Sequence, residues 1–432
     1  MSRSIRVAAV QLRAHDRADF ASSVDATVAS ASAAAEHADL AVLPEGTFPA
    51  YVLERDDVDD VAIARSLARL QDVAAKYSCA IVAGAAIRSG GKLRNAAVVI
   101  DTDGSIAGRA EKLFLWHFDR HWFEAGERIA PVRTSIGSIG AMICADGRIP
   151  WIARALVDRG ADIIAMPTAW VTSGRDPALL ENVQADLLAR VRARENRVPF
   201  AGANKCGVEL GAVAYCGKSQ IVDGDGNVLE IASQQDPEIV RATVTIGASP
   251  VAPRDADDIP VRTLANVAPI RVAIALDTRA LDIGRLRGFL DVDCVVTADG
   301  GIAELNGAIP TVAISDERAY DPVALPAYRQ AGYRAAVWIA SGSSEWTTAF
   351  ARARALELRI YVVVFDRSAD RAYAVDPDGA IVAGTFGEYR LASFTLDPRR
   401  TMETTVAPGT DIAEGLARVG TIAGRKDIEP AS

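Results

Sequence analysis

Short apolar runs alternate along the first half of the chain with longer stretches whose apolar residues recur every three or four positions. That alternation predicts strands at residues 5–11, 39–43, 80–87, 94–100, 106–109, 138–144, 162–166, 200–204 and 218–222. It predicts helices at 20–36, 59–77, 150–159 and 177–195, the last with a broad apolar face. The turns Asp101-Thr-Asp-Gly104 and Asp223-Gly-Asp-Gly226 return the chain into hairpins. Helices alternating with strands give a layered α/β domain with helices outside, and the hairpins make its sheets mixed.

A Pro- and Asp-rich stretch at 248–260 reads as a linker, after which the pattern restarts. Ile270-Arg-Val-Ala-Ile-Ala275 echoes Ile5-Arg-Val-Ala-Ala-Val10, and Asp293-Cys-Val-Val-Thr-Ala-Asp-Gly300 echoes Asp39-Leu-Ala-Val-Leu-Pro-Glu-Gly46, setting Asp299 against Glu45. Val312-Ala-Ile-Ser-Asp-Glu-Arg318 echoes Met142-Ile-Cys-Ala-Asp-Gly-Arg148, and the match sets Ser315 against Cys144. Arg354-Ala-Leu-Glu357 follows Arg192-Ala-Arg-Glu195, and Asp376-Pro-Asp-Gly379 follows Asp223-Gly-Asp-Gly226. Five matches in one order point to an internal duplication. The copy is shortened, and nothing in it matches the second helix, the middle strands or the segment around Lys112. It is therefore expected to fold but to be catalytically silent.

Composition narrows the function. A chain of 432 residues, half of them hydrophobic, can bury two cores. Its net charge of -9 comes from interspersed charges with no basic stripe, which argues against a nucleic-acid partner. No apolar stretch reaches the ~20 residues of a membrane span, and the strand at residue 5 leaves no room for a signal peptide. The five cysteines are irregularly spaced without a C-x-x-C pair, which fits a reducing, cytoplasmic setting. With four histidines and no metal-ligand spacing, neither a metal nor a cofactor is expected.

Three polar residues stand at predicted strand ends. Glu45 closes Leu40-Ala-Val-Leu-Pro-Glu-Gly46, Lys112 follows the strand at 106–109, and Cys144 sits where Ile143-Cys-Ala-Asp-Gly-Arg148 turns into a helix. A thiol at a strand-to-helix bend sees backbone donors and the positive helix end, which predicts a lowered pKa. A carboxylate and an ammonium beside it would supply a base and an oxyanion cation, the apparatus of a hydrolase.

These segments, with Glu111-Lys112, Arg192-Ala-Arg-Glu-Asn196, Ala203-Asn204 and Gly217-Lys-Ser-Gln-Ile-Val-Asp223, resemble the nitrilase superfamily of carbon-nitrogen hydrolases. The resemblance covers residues 4–245, and more faintly 268–396. It implies a four-layer αββα sandwich carrying a Glu-Lys-Cys triad, followed by a shorter αββα-like copy. By this resemblance Cys144 is the nucleophile, Glu45 the general base, and Lys112 the oxyanion cation aided by the backbone N–H of Ala145. The family's second glutamate is replaced by Asp119, counted back from Phe123, with Glu124 as a rival. Trp151 stands where members often carry an acid, leaving Arg148 as a folding residue. Trp116, His117 and Trp170 are candidates for the pocket wall.

The expected domains are 1–262, catalytic; 263–400, degenerate; and 401–432, a C-terminal tail. The expected activity is hydrolysis of a small linear amide or N-carbamoyl amine through a cysteine thioester, with a nitrilase or a catalytically idle scaffold as alternatives. The expected partners are a small-molecule substrate and an internal pseudo-dimer of the two domains, with assembly into homo-oligomers open.

Overall fold

The computed structural model of the protein describes residues 2–172, 181–247, 259–276, 283–299, 302–385 and 387–424. The chain divides into two compact units: 1–253 with 407–410 and 415–432, and 254–406 with 411–414. The linker expected at 248–260 lies outside the described residues except for its last two positions.

The first unit is built on the strand Arg3–Arg13, whose inward run is buried almost without a break. It pairs in parallel with Leu40–Val42 and antiparallel with Glu238–Ile246, and the sheet continues through Ala80–Ser89, Lys92–Ile100 and Ile106–Glu111. On its other side the sheet adds the hairpin Lys205–Glu209 and Val213–Cys216, which the sequence pattern had not revealed. A second, six-stranded sheet runs in the order Val228–Ile231, Gln220–Val222, Phe200–Ala203, Ile163–Pro167, Gly137–Ala141, Val132–Thr134. The sheets face each other, with helices Phe20–Ala35 and Asp60–Tyr77 behind the first, and Pro150–Asp158 and Ala189–Asn196 behind the second.

The helix Asp60–Tyr77 illustrates how sequence sets the outer layers. Asp59 caps it by accepting from the N–H of Ala62 at 2.9 Å, and Ser78 ends it in the left-handed region. Ile63, Leu67, Leu70 and Val73 return to one face and are buried, each worth about 1.5–3 kcal/mol of apolar burial.

Several boundaries differ from the expected ones. The strand expected to run to Cys144 stops at Ala141, because residues Cys144–Arg148 form a helical turn. Of the helix expected at 177–195, residues 177–180 lie outside the described set; a wide turn at Gln184–Leu188 leads into Ala189–Asn196. That segment is buried at Leu187, Leu188, Val191, Arg192, Glu195 and Asn196, so its apolar face is not exposed.

The second unit holds a three-stranded sheet, Cys294–Thr297, Ile270–Ala275, Leu391–Leu396, and a five-stranded sheet, Thr311–Ile314, Ala335–Ala340, Tyr361–Asp366, Arg371–Val375, Ile381–Gly384. Its registers correct one expectation. In the first unit Gly140, Ile164, Phe200 and Val222 form one row across the sheet. Val312, Ala336, Val362 and Val375 form the corresponding row of the second. Four residues beyond each row start stand Cys144 and Asp316. By this register the position level with the thiol is Asp316, not Ser315.

Of the expected tail at 401–432, residues 401–424 are described and carry two strands and a helix. Thr405–Ala407 and Thr410–Asp411 form a small hairpin, and Ile412–Ala423 is a helix whose later turns belong to the first unit. The chain leaves the first unit, builds the second, and returns.

Candidate active site

Glu45 and Lys112 come from two strands of the first sheet, and Cys144 from the strand Gly137–Ala141 of the second. The two sheets are tied here by the N–H of Glu45, which donates to the carbonyl of Thr168 at 3.2 Å. The bend at Glu45 lies hard against Gly84, where a Cβ would stand 2.4 Å from the carbonyl oxygen of Pro44 and 2.6 Å from the Cα of Glu45. Only glycine admits that approach.

Lys112 is fully buried between two buried carboxylates. Its ammonium donates to Glu45 Oε1 at 2.7 Å and to Asp119 Oδ2. Asn95 Nδ2 donates to the same Glu45 oxygen at 2.7 Å, and the N–H of Trp116 donates to Asp119 Oδ2 at 2.9 Å. One oxygen of each acid is thus occupied, while Glu45 Oε2 and Asp119 Oδ1 have no hydrogen-bond partner. Buried acceptors are rarely left so, and an unpartnered pair beside a thiol is a place for donors to arrive.

Cys144 has φ 45°, a left-handed conformation that costs a non-glycine residue about 1–3 kcal/mol. The strain turns the thiol out of its strand at the mouth of the helical turn. Burial pushes the thiol up to about 12, reinforced by the charge of Glu45; Lys112, the Thr168 hydroxyl and the Ala169 N–H act the other way. The thiol is thus raised where the sequence predicted a lowering, because desolvation outweighs the groups that favour the thiolate. Burial also raises Glu45 above the usual carboxylate range, against the pull of Lys112. For Lys112 burial alone would lower the pKa, but Asp119 and Glu45 outweigh it, and the ammonium keeps its proton well above the ordinary range.

The sequence profile of the carbon-nitrogen hydrolase family matches residues 6–249. The chain belongs to that family. It is a carbon-nitrogen hydrolase. A Pyrococcus abyssi nitrilase is 33% identical over 222 residues, covering 50% of this chain and 79% of that protein. A Schizosaccharomyces pombe protein described as a probable nitrilase is 27% identical over 184 residues, covering 42% of this chain and 65% of its own length. The crystal structure of an amidase from Nesterenkonia sp. superposes with TM-score 0.50 at 25% identity, covering 55% of this chain and 89% of that one.

The remaining candidates of this carbon-nitrogen hydrolase sort themselves by contact. Asp119 lies on Lys112, whereas the rival Glu124 is on the surface, paired with Lys92 at 2.7 Å. Ala145 is buried directly after the thiol, at the start of the helical turn. Arg148 places its guanidinium 4.5 Å from the centre of the Trp116 ring, and burial lowers it to about 10. His117 packs edge-on against Phe118, and its N–H donates to Thr410 Oγ1 at 2.7 Å. Among the described residues no hydrogen bond joins the side chain of Trp116 or His117 to the trio. Trp170 is buried, its N–H held by Asn204 Oδ1 at 2.8 Å and its ring lying over Gly202.

Sequence reasoning missed three contributors. Tyr51 lies with its ring 5.9 Å from the Lys112 ammonium and packs against Phe118 and Tyr215. Thr168, whose buried hydroxyl makes no hydrogen bond among the described residues, favours the thiolate of Cys144. Asp146 was read only as part of the turn, yet its Oδ1 accepts from Leu113 and Phe114 at 3.0 and 2.8 Å and its Oδ2 from Ile143 at 3.0 Å. It fastens the residues after Lys112 to the residue before Cys144. No helix among the described residues is long and apolar enough to cross a membrane.

Proposed function

We propose that the protein hydrolyses a small linear amide or N-carbamoyl amine through a thioester on Cys144. The observation that carries this reading is the strained thiol beside a lysine held between two buried carboxylates, one of which, Glu45, keeps a free oxygen. In the first step the thiol proton passes to Glu45 as sulfur bonds to the carbonyl carbon. The raised pKa of Glu45 narrows the proton-transfer gap, and neutralising that carboxylate leaves the Lys112 charge free to meet the oxyanion. The Ala145 N–H is the second donor. Glu45 returns the proton to the leaving nitrogen, ammonia or amine departs, and the thioester remains. Water then gives a proton to Glu45 and attacks the thioester; the acid leaves as sulfur regains its proton. Asp119 holds the other side of the ammonium through the cycle.

The experiment is turnover of a panel of amides, N-carbamoyl amino acids, ureas and nitriles with Cys144→Ala as blank, and intact-mass detection of the acyl adduct. Nitriles as the sole substrates would convert the reading to a nitrilase. No adduct and no turnover across the panel would leave a catalytically idle scaffold.

The second unit we read as a degenerate, catalytically silent copy of the αββα fold. Its strand order and directions repeat those of the first unit around Arg3–Arg13 and Phe200–Ala203, which supports that reading. Internal pairing of the two domains belongs to the same proposal. It predicts that hydrogen-exchange protection of residues 189–196 survives dilution; loss of protection on dilution would instead favour pairing between chains. Five unpaired, buried cysteines support a cytoplasmic location.

A further inference from the structure

The loop that carries Lys112 and Asp119 is closed at its neck by the N–H of Gly126, which donates to the Lys112 carbonyl at 2.8 Å. One side of that neck is held by Asp146, through the N–H groups of Leu113 and Phe114. The other side is held from far along the chain. Arg418, on the helix Ile412–Ala423, donates from Nη1 to the carbonyl of Leu113 at 2.5 Å and from Nη2 to the carbonyl of Gly126. The residue after Lys112 is thus gripped at its N–H by Asp146 and at its carbonyl by Arg418, and the same guanidinium spans both ends of the neck.

The helix is seated for this contact. A Cβ at Gly415 would stand 2.5 Å from the Phe114 ring, and one at Gly420 would stand 2.2 Å from the Trp151 ring. Trp151, which replaces the expected acid, is therefore a surface on which this helix rests. Arg159 donates to the carbonyl of Ala423 at 3.1 Å, satisfying the helix end, and to the carbonyl of Ile129 at 2.6 Å. Thr410 receives the N–H of His117 in the same loop.

We infer that Arg418 is a positioning residue for Lys112, and that the returning helix is an obligatory part of the catalytic unit. An ammonium that must meet an oxyanion tolerates little displacement, and a misplacement of about 1 Å costs on the order of a hundredfold in rate. The inference rests on the role proposed for Lys112 but not on the substrate assigned above.

The test uses the full chain with Arg418→Ala, Arg418→Lys and, as a control on an exposed position of the same helix, Thr421→Ala. Three quantities are read: amide turnover, melting temperature, and the pH dependence of iodoacetamide alkylation of Cys144, assigned by peptide mapping. Arg418→Ala should lose about ten- to a hundredfold in kcat and in alkylation rate, with KM nearly unchanged and the alkylation midpoint moved to higher pH. Ethylguanidinium should restore part of both rates, and Arg418→Lys should fall between. Wild-type rates in a folded Arg418→Ala, or a loss in it that ethylguanidinium leaves untouched, would overturn the inference. If Arg418→Ala does not fold, wild-type rates in Arg418→Lys would do so. Should the wild type turn over no amide while its alkylation still depends on Arg418, the substrate reading fails and this one stands.

Discussion

The two units keep the same framework and differ in what they hang on it. In the first, Arg192 donates to the carbonyl of Gly147 and pairs with Glu195; in the second, Arg354 donates to the carbonyl of Ala319 and pairs with Glu357. Arg190 and Arg352 each reach the glycine carbonyl of an Asp-x-Asp-Gly turn, Gly226 and Gly379. Arg197 and Arg359 both end their helices in the left-handed region. These bonds hold strands and turns in place and touch no reacting atom. The chemistry follows a different rule. Among the described residues the second unit has no strands beyond Cys294–Thr297 in its smaller sheet, hence no counterpart to the lysine strand, and Asp299 is exposed where Glu45 is buried. A hydrogen-bonded frame of this kind can stand without the strands that aim charges in the first unit.

The largest test of that contrast is at the matched strand ends. Cys144→Ala should abolish turnover with little change in melting temperature, and Lys112→Ala should cost at least ~10²–10³ in kcat. Ser315→Ala, at the residue that the sequence match set against Cys144, should leave turnover at the wild-type rate. A Lys112→Ala rate above about a tenth of wild type would remove that residue from the chemistry. Within the trio, Glu45→Gln should lose more than Asp119→Asn, because only Glu45 is asked to carry the proton. Equal losses would make Asp119 essential, and no loss would make it structural. In wild type the acid limb of kcat/KM should lie above the ordinary glutamate range, since activity falls as Glu45 is protonated and burial raises its pKa.

The arginine pair sharpens the comparison at the next level. Arg192→Ala and Arg354→Ala each remove the arginine partner of a buried glutamate and should cost about 3–5 kcal/mol in denaturant unfolding. Only Arg192→Ala should also lower kcat in the folded fraction, because Gly147 follows Cys144 in the same turn.

The smallest effect has opposite signs in the two units. Burial pushes Asp146 up to about 7, so the folded state binds its proton more tightly than the unfolded chain does. Its contribution is present below the ordinary range and is lost as pH rises from about 4 to about 7. For Asp366, burial would raise the pKa, but the hydroxyls of Ser344 and Ser368, the Ala369 N–H and Arg371 outweigh it, and the carboxyl lies below the ordinary range. Its contribution is present above that range and is lost as pH falls through the lowered value. Melting temperatures across acid pH should therefore lose a falling component in Asp146→Asn and a rising one in Asp366→Asn. The same sign in both would show that burial alone sets these groups.

Much of this was legible in the chain. Strand ends pointed to Glu45, Lys112 and Cys144 because a polar residue closing an apolar run has few other reasons to be there, and Asp119 came from the family resemblance, which fixes its distance to Phe123. The thiol pKa was misread because local sequence records the helix end but not how deeply the site is closed. Asp146 and Thr168 act through backbone groups distant in sequence, which no spacing encodes. The returning helix did leave a signal: Ile412, Leu416, Val419 and Ile422 recur at helical spacing and are buried. What could not be read is the surface that receives it.

The long detour between Lys112 and Arg418, 305 positions from the leucine carbonyl to the guanidinium that holds it, also sets the order of events during synthesis. Domains generally fold in turn as they emerge, but this first unit lacks part of itself until the second has been translated. A nascent or prematurely ended chain would carry all three polar strand ends and still lack the helix that seats the lysine loop. Competence would arrive late, with the whole polypeptide, so that a fragment reaching only as far as the second unit would be made without premature hydrolytic capacity.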